Sequence, residues 1–384
     1  MAEATPASGK RLLSLDVFRG ATIAGMNLVN NPGDWSNIYA PWEHAKWNGW
    51  TFTDLIFPFF LWIVGVAMTL SFAKRVERGD NKTQLALHSL RRAAVIFLLG
   101  MILASFPFGL LFGHQFSFST VRIPGVLQRI AVCYLVTSLI FLWTSVRTQI
   151  GIIIGLLAGY WLLVANVPVP GFGAGVLAPL GSLCWYVDST VLAGHTWRGA
   201  PVPGFDPEGI VSTIPAVATT LFGVITGHFL RSQKSGEEKS AWMFVAGNLL
   251  LLAGLVMDNW LPINKNLWTS TYTVFMAGMA LNVFSVCYWL IDVRGMRRGT
   301  AFFSIYGLNA ITVFFLSGIL GRMVTLIRWD TGAGTQTLKG WVYGTFFTPW
   351  LSPLNASFAF AVAWMMMLFG VAYIMYKRNW IVKV

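Results

Sequence analysis

A histidine stands alone in the polar, tryptophan-rich stretch Trp42-Glu43-His44-Ala45-Lys46-Trp47-Asn48-Gly49-Trp50, and an apolar run opens soon after at Leu55-Ile56-Phe57-Pro58-Phe59-Phe60. The imidazole of His44 is thereby placed at the mouth of a membrane helix, where water, a polar substrate and a dry interior meet. Histidine titrates near neutrality, which suits it to take a proton from an attacking amine or hydroxyl. An interfacial histidine can equally be a hydrogen-bonded structural residue, and this stretch alone does not decide between the two.

Further polar groups sit at membrane depth. Asp16 and Arg19, in Leu15-Asp16-Val17-Phe18-Arg19-Gly20, are spaced i, i+3 on one helix face. They read as an ion pair steadying the first span, or as a phosphate-facing arginine fixed by Asp16. In Val121-Arg122-Ile123-Pro124-Gly125-Val126-Leu127-Gln128-Arg129, Arg129 lies one turn into a span, where an unpaired guanidinium is costly. It calls for a carboxylate such as Asp54, Asp206 or Glu208, or for an anionic ligand held in bidentate fashion. Phe205-Asp206-Pro207-Glu208-Gly209 has the make-up of a helix start, with Asp206 as N-cap, Pro207 at the first helical position and Glu208 in the first turn. Thr51-Phe52-Thr53-Asp54 reads as a capping box opening the second span. In Pro262-Ile263-Asn264-Lys265-Asn266-Leu267-Trp268, Asn264 and Asn266 flank Lys265 ahead of Trp268. That set could bind a sugar or phosphate, or simply cap and anchor a helix. Asn309 falls mid-span and suits a helix–helix hydrogen bond.

Composition dictates the elements that carry these groups. Of 384 residues, 55% are hydrophobic and 11% charged, and mean hydropathy is +0.62. So much apolar surface cannot be buried inside a water-facing shell, so a soluble globular class is excluded and lipid must cover the surplus. Runs of about 20 apolar residues predict roughly ten spans, near 12–31, 52–73, 92–112, 125–143, 150–167, 209–230, 241–257, 267–291, 301–321 and 356–376. Of the 27 Lys and Arg, eighteen then fall on the side of the N-terminus. Seven (Lys46, Arg122, Arg198, Lys265, Arg322, Arg328 and Lys339) fall on the other, and Arg19 and Arg129 lie within spans. This asymmetry places both termini in the cytoplasm and accounts for the net charge of +12 without nucleic acid. The fold class expected is therefore all-α, a polytopic membrane helix bundle.

Residues 1–11 read as a cytoplasmic tail and 12–384 as a single transmembrane unit with outer loops at 32–51, 168–208 and 322–355. The two longer loops are rich in Gly, Pro, Trp and Thr and are expected to fold over the outer face. The first apolar run carries Asp16 and Arg19 and ends in Asn30-Asn31-Pro32, so it is read as a retained helix and not a cleaved signal peptide. Cys133, Cys184 and Cys287 have no metal-like spacing, and neither a metal nor a disulfide is expected.

Under this topology His44, Asn30, Arg122, Asp206, Glu208 and Lys265 fall at or near the outer face, with Arg129, Gln128 and Asp54 just beneath. Independent caps have no reason to share a side, so the clusters point to one outward-opening polar site. Trp42, Trp47 and Trp50 are expected to line its acceptor pocket.

The same clusters in the same order, together with His44-Ala45-Lys46-Trp47-Asn48-Gly49 and Asp54-Leu55-Ile56-Phe57-Pro58, resemble the heparan-α-glucosaminide N-acetyltransferase family and its bacterial relatives of the NagX type. The resemblance runs from Leu15 to the last span. It implies acetyl transfer from acetyl-CoA to the amine of a glucosamine-type sugar across the membrane, with His44 as the catalytic histidine and Asn30 near the acetyl group. It also implies a homodimer in a bacterial inner membrane, and direct transfer or an acetyl-histidine relay as the mechanism. The remaining members of the expected binding set are Asp16, Arg19, Trp47, Asn48, Asp54, Arg122, Gln128, Arg129, Asp206, Glu208, Asn264, Lys265, Asn266, Trp268 and Asn309. Against the lysosomal enzyme, this sequence is expected to do without the large luminal domain and extra leading helix and to have a shorter 168–208 loop. The competing reading is a secondary transporter of a sugar or anion, with Arg129, Asp54 and Glu208 as coupling groups.

Overall fold

The computed structural model describes residues 12–110, 116–332 and 334–382; the tail expected over 1–11 lies outside them. Within these bounds the chain is a helical bundle. Eight helices are long and apolar enough to cross a membrane: α2 (Ile56–Glu77, preceded by a one-turn helix Phe52–Leu55), α3 (Lys82–Ser105), α4 (Val126–Trp143), α5 (Val146–Asn166), α7 (Ile210–Leu230), α8 (Gly236–Met257), α9 (Ser270–Tyr288, continued to Val293) and α13 (Pro353–Lys377). The chain is a multi-pass membrane protein.

Helix α1 (Leu13–Asn30) matches the first expected span but carries Asp16, Arg19, Asn27 and Asn30. It tolerates them because α2, α9, α13 and the two helices α10 (Thr300–Leu308) and α11 (Ala310–Leu326) all pack around it, so Ser14, Asp16, Thr22 and Asn27 are buried in protein, away from lipid. The single helix expected over 301–321 is instead two, α10 (Thr300–Leu308) and α11 (Ala310–Leu326), bent by 78° at Asn309. The cause is tertiary. A Cβ on Gly20 would stand 1.6 Å from the Phe303 carbonyl oxygen, and one on Gly307 would stand 2.3 Å from that of Asp16, so α10 is locked backbone-to-backbone along the start of α1. The Asn309 side chain then grips the C-terminal segment, donating to the Trp380 carbonyl at 3.1 Å and accepting from the Val382 N–H at 3.1 Å.

Glycines set the central crossing as well. A Cβ on Gly65 of α2 would meet the Thr220 carbonyl oxygen of α7 at 2.0 Å, and one on Gly223 the Trp62 carbonyl oxygen at 2.0 Å. Small residues let membrane helices approach this closely, and dispersion between the touching backbones replaces a hydrophobic drive that lipid cannot supply. The core around this crossing holds Phe18, Phe59, Trp62, Phe284 and Trp268. The two long loops, expected over 168–208 and 322–355, are folded, each with a short helix: α6 (Leu183–Val191) and α12 (Leu338–Phe346), the latter after a hairpin of β1 (Arg328–Asp330) and β2 (Thr335–Thr337).

Candidate active site

The capping box read at Thr51 is present: Asp54 closes it with Thr51 at the head of α2. Its Oδ2 accepts the N–H of Thr51 at 3.1 Å and the N–H of Ala45 at 3.0 Å, while the Thr51 hydroxyl, 3.2 Å away, gives its single proton to the Glu43 carbonyl at 2.5 Å. The two N–H donors hold Oδ2 and turn Oδ1 toward His44, whose Nδ1 lies 2.7 Å away. The carboxylate is 1% exposed and the imidazole 49%, so a buried anion fixes a half-open ring. Lys265 completes the cluster, with Nζ 3.3 Å from Asp54 Oδ1, 2.9 Å from His44 Nδ1 and 3.4 Å from Nε2. The Tyr272 hydroxyl donates to the Asp54 carbonyl at 2.6 Å, tying the head of α2 to α9.

Lys265 reaches this position on a strained turn. Trp268 adopts a φ of +50°, a left-handed conformation rare for a bulky side chain. Three bonds hold it there: Asn264 Oδ1 accepts the Leu267 N–H at 2.8 Å, Asn264 Nδ2 donates to Asn48 Oδ1 at 3.0 Å, and the Trp268 indole N–H donates to Thr219 Oγ1 at 3.1 Å. Asn264 and Asn48 thus lock the turn to the His44 loop. Asn266 is half-buried and makes no side-chain hydrogen bond among the described residues. Burial pushes the Lys265 ammonium below its ordinary pKa, with the Asp54 and Glu208 carboxylates pulling the other way.

Arg122 is gripped by two carboxylates. Its Nε donates to Asp206 Oδ2 at 2.8 Å and its Nη2 to Asp206 Oδ1 at 2.6 Å, and Nη2 also meets the Glu208 carboxylate. Burial opposes its charge, but Glu208 and Asp206 outweigh that and raise its pKa. Glu208 is held low in turn, the cations Arg122 and Arg129 outweighing its own burial. Asp206 is therefore not the N-cap expected from its sequence. Its oxygens go to Arg122, to the Trp197 N–H at 2.8 Å and to the Glu208 N–H at 3.0 Å, and the helix starts later, at Ile210. Asp188 of α6 supplies the missing acceptor, taking the Ile210 N–H on Oδ1 at 2.9 Å. Burial pushes the Asp188 carboxyl up to about 7.

Arg129, expected to find a carboxylate or an anion, has neither within ion-pairing distance among the described residues. Its Nη2 donates to the Gly209 carbonyl at 3.2 Å and to Ser212 Oγ, and the guanidinium lies 5.0 Å above the Trp268 ring. A carbonyl, a hydroxyl and an indole face stand where an ion pair was expected, and Nε and Nη1 are buried with no hydrogen-bond partner among the described residues.

A cavity of about 660 Å³ opens between α1, α3, α4, α11 and α13 on the side of the His44 loop. Asn30, Gln128 and Arg122 line it, as do Trp35 and Trp197; His44 does not. The three tryptophans expected to line an acceptor pocket pack elsewhere: Trp42 on Phe52, Trp47 beside Phe205 with its indole N–H on the Leu177 carbonyl, and Trp50 on Phe275. The structure thus brings His44, Asp54, Lys265, Asn48 and Asn264 into one contact set, and Arg122, Asp206 and Glu208 into another. Asp16 and Arg19, ion-paired at 3.4 Å, lie with Asn309 at the opposite end of α1. Arg198, Arg322 and Lys339 are also on the cavity wall, although the sequence reading counts them only toward the charge asymmetry and not as site residues. The available signal was their place among the few outer cations.

A family profile described as heparan-alpha-glucosaminide N-acetyltransferase, catalytic, matches residues 11–253. His44, Asp54, Arg122, Asp206 and Glu208 fall inside that match, and the Lys265 turn follows it. The chain is 30% identical to the Homo sapiens heparan-alpha-glucosaminide N-acetyltransferase over 352 positions, covering 79% of this chain and 52% of the relative. It is 29% identical to the Mus musculus protein of the same name over 360 positions, covering 81% and 54%. The chain spans about half the length of these curated relatives. With well over half of its own residues matched by the profile, the chain belongs to the heparan-α-glucosaminide N-acetyltransferase catalytic family.

Proposed function

We propose that this chain moves an acetyl group from acetyl-CoA to the amine of an amino sugar at the outer face of a bacterial inner membrane, acting as a homodimer. The grip of buried Asp54 on His44 carries the reading. The carboxylate 2.7 Å from Nδ1 favours the N–H there and the lone pair on Nε2, the tautomer a general base needs, in competition with the Lys265 ammonium, which lies 2.9 Å from the same nitrogen and can only donate. Lys265 places a positive charge against the same carboxylate oxygen, offsetting the cost of keeping Asp54 ionised where it is buried.

The step balances as follows. The acceptor amine attacks the thioester carbonyl and passes a proton to His44 Nε2. The carbon–sulfur bond breaks, and the imidazolium returns the proton to the leaving thiolate, giving the N-acetyl sugar and the CoA thiol. Asn30 lines the cavity at the end of α1 and His44 does not, so this assignment requires the thioester to lie between them, with the Asn30 amide on the carbonyl oxygen, where a donor contributes about 2.7–4 kcal/mol in comparable sites. Gln128 lies on the same wall. Arg122, Asp206, Glu208 and Arg129 hold the heads of α4 and α7 beside the cavity.

His44→Ala tests this. Purified protein with acetyl-CoA and glucosamine is expected to lose about 10²–10⁴-fold in acetyl transfer, read by mass spectrometry of the product, with folded yield unchanged. Turnover near wild type in that variant would overturn the assignment. Uptake of sugar by vesicles lacking acetyl-CoA would instead mark a transporter.

A further inference from the structure

The two folded loop segments are held by different means. Helix α6 buries Leu183, Cys184 and Asp188, and side chains tie it down: the Trp185 indole N–H donates to the Pro203 carbonyl at 3.0 Å, and Asp188 takes the Ile210 N–H. Helix α12 buries no residue at all. It is nine residues long and includes Gly340 and Gly344, and helices shorter than about 12–15 residues are marginal in water without packing. Its inner side rests on the bundle. Tyr343 lies 6.2 Å from Phe360 of α13, and a Cβ on Gly33, in the loop after α1, would stand 2.5 Å from the Tyr343 ring. Phe347, just past the helix, lies 5.5 Å from the same Phe360. The other side carries a row of aromatic rings. Trp341 lies 6.5 Å from Trp329 of β1 and 5.8 Å from Phe346, and Trp350 follows in the link to α13. These four residues are between 37% and 81% exposed.

Rings of about 150–250 Å² each, exposed to that extent, leave roughly 400 Å² of aromatic surface uncovered, as much as the largest patch on a typical soluble monomer. The surface is also uncharged. From residue 338 to 352 the chain carries one charge, Lys339, and that ammonium turns inward, 5.7 Å over the Phe360 ring. On the hairpin Trp329 alternates with Arg328 and Asp330, so indole and charges take opposite faces. Thr335 pairs with Asp330 and donates to its Oδ1 at 3.0 Å, on the charged face. The chain keeps this segment at the membrane boundary, because Trp350 stands three residues ahead of Pro353, where the span α13 begins. Tryptophan favours that boundary. We propose that the hairpin and α12 lie in the headgroup region of the bilayer leaflet on the His44 side, with Trp329, Trp341, Phe346 and Trp350 among the lipids and Arg328 and Asp330 in water. Lipid then supplies the cover that α12 lacks, and through Tyr343 and Gly33 it steadies the loop that follows Asn30.

Nitroxide labels introduced by T345C and T335C separate the two faces. Thr345 follows Trp341 by one helical turn and shares its side, whereas Thr335 lies on the charged face of the hairpin, and both are exposed. Labelled wild type gives the background from Cys287, since Cys133 and Cys184 are buried. The full chain is reconstituted in vesicles of phosphatidylethanolamine and phosphatidylglycerol, and power-saturation spectra are taken with oxygen, which concentrates in lipid, and with a neutral nickel chelate, which stays in water. The label at 345 is expected about 5–10 Å into the headgroup region, reached by oxygen and shielded from nickel, and the label at 335 the reverse. Should T345C not fold, G344C takes its place, at an exposed position where an added Cβ meets no atom within 4 Å. Two results would overturn the proposal. Equal nickel access at 345 and 335 would put α12 in water. Shielding of 345 from both reagents, with dipolar broadening between labels, would give the face to a second copy of the chain.

Discussion

Asp54→Asn separates chemistry from folding at the His44 cluster. The bonds into Oδ2 come from the Thr51 and Ala45 N–H groups, both donors, so an amide oxygen in that place keeps them. The amide NH₂ must then occupy the Oδ1 position, 2.7 Å from His44 Nδ1 and 3.3 Å from Lys265 Nζ. It donates to Nδ1, which drives the ring hydrogen to Nε2 and removes the base. It also faces the Lys265 ammonium donor to donor. In a comparable triad the same substitution costs about 10⁴ in kcat through the wrong tautomer. His44 is half exposed and can turn within its pocket, so we expect a fall of about 10²–10⁴-fold, or about 3–5 kcal/mol in the barrier. The lost counter-charge to Lys265 is expected to reduce stability by about 1–3 kcal/mol, because the ammonium can escape the penalty by giving up its proton. Steady-state acetylation of glucosamine with varied acetyl-CoA is the assay, with a thermal melt on the same preparation. The fall should lie in kcat with KM for acetyl-CoA within a few-fold. A folded D54N with kcat within about threefold of wild type would show that Asp54 does not set the tautomer, and the mechanism would have to be abandoned.

Three structural perturbations have equally defined outcomes. Arg122→Gln leaves Asp206 and Glu208 without their cation; removing one partner of a buried pair costs about 3–5 kcal/mol, read as a lower melting temperature, and an unchanged melt contradicts the network. Gly223→Ala forces a methyl into the Trp62 carbonyl at 2.0 Å and should destabilise by about 1–3 kcal/mol, whereas Gly151→Ala, with no atom within 4 Å, should be neutral or mildly stabilising. Equal melts for the two would refute the close α2–α7 crossing. Asp188 is pushed from 3.8 up to about 7, so its contribution to stability is complete below its unfolded pKa and is lost as pH rises through 7. The wild-type melt should therefore fall between pH 5 and pH 8 by more than that of Asp188→Asn, whose amide keeps the bond to the Ile210 N–H; equal falls would exclude Asp188 as the cause.

What could be read from the sequence divides by range. The Thr51–Asp54 capping box was legible because every participant lies within four residues. The spans were legible because apolar length is a local property that lipid enforces. Asp206-Pro207-Glu208 carries an equally clear local signature of a helix start, yet its carboxylate went to Arg122, 84 positions away, and Asp188 capped the helix instead. The break at Asn309 was hidden in an unbroken apolar run, since it arises from Gly307 meeting the backbone of α1 and from the returning C-terminal segment. Arg198, Arg322 and Lys339 were visible as outer cations, but nothing local says that they share one cavity with Asn30 and Gln128.

Helix direction explains why the acids gather on this face. Helices α2, α4, α7 and α9 all begin there, so four N-terminal ends, each worth about half a positive charge, point at the same region. Asp54 sits at the head of α2, and Asp206 and Glu208 just before α7. Arg122 and Lys265 enter from the loops leading into α4 and α9. The resulting order of charges runs from the cavity wall at Arg122, through Asp206 and Glu208, past Arg129 and Lys265, to Asp54 and His44. Glu208 is the middle link, in contact with Arg122 and within the field of Lys265. Glu208→Gln breaks that order at its middle. Arg122 keeps Asp206, but Lys265 loses one of the two carboxylates that oppose its burial and is pushed further below its ordinary pKa. A lysine depressed in the folded state costs stability at neutral pH and gives it back as pH rises toward its unfolded pKa, so the deficit of E208Q in a thermal melt should shrink between pH 7 and pH 10. A deficit that stays the same across that range would show that Glu208 does not act on Lys265.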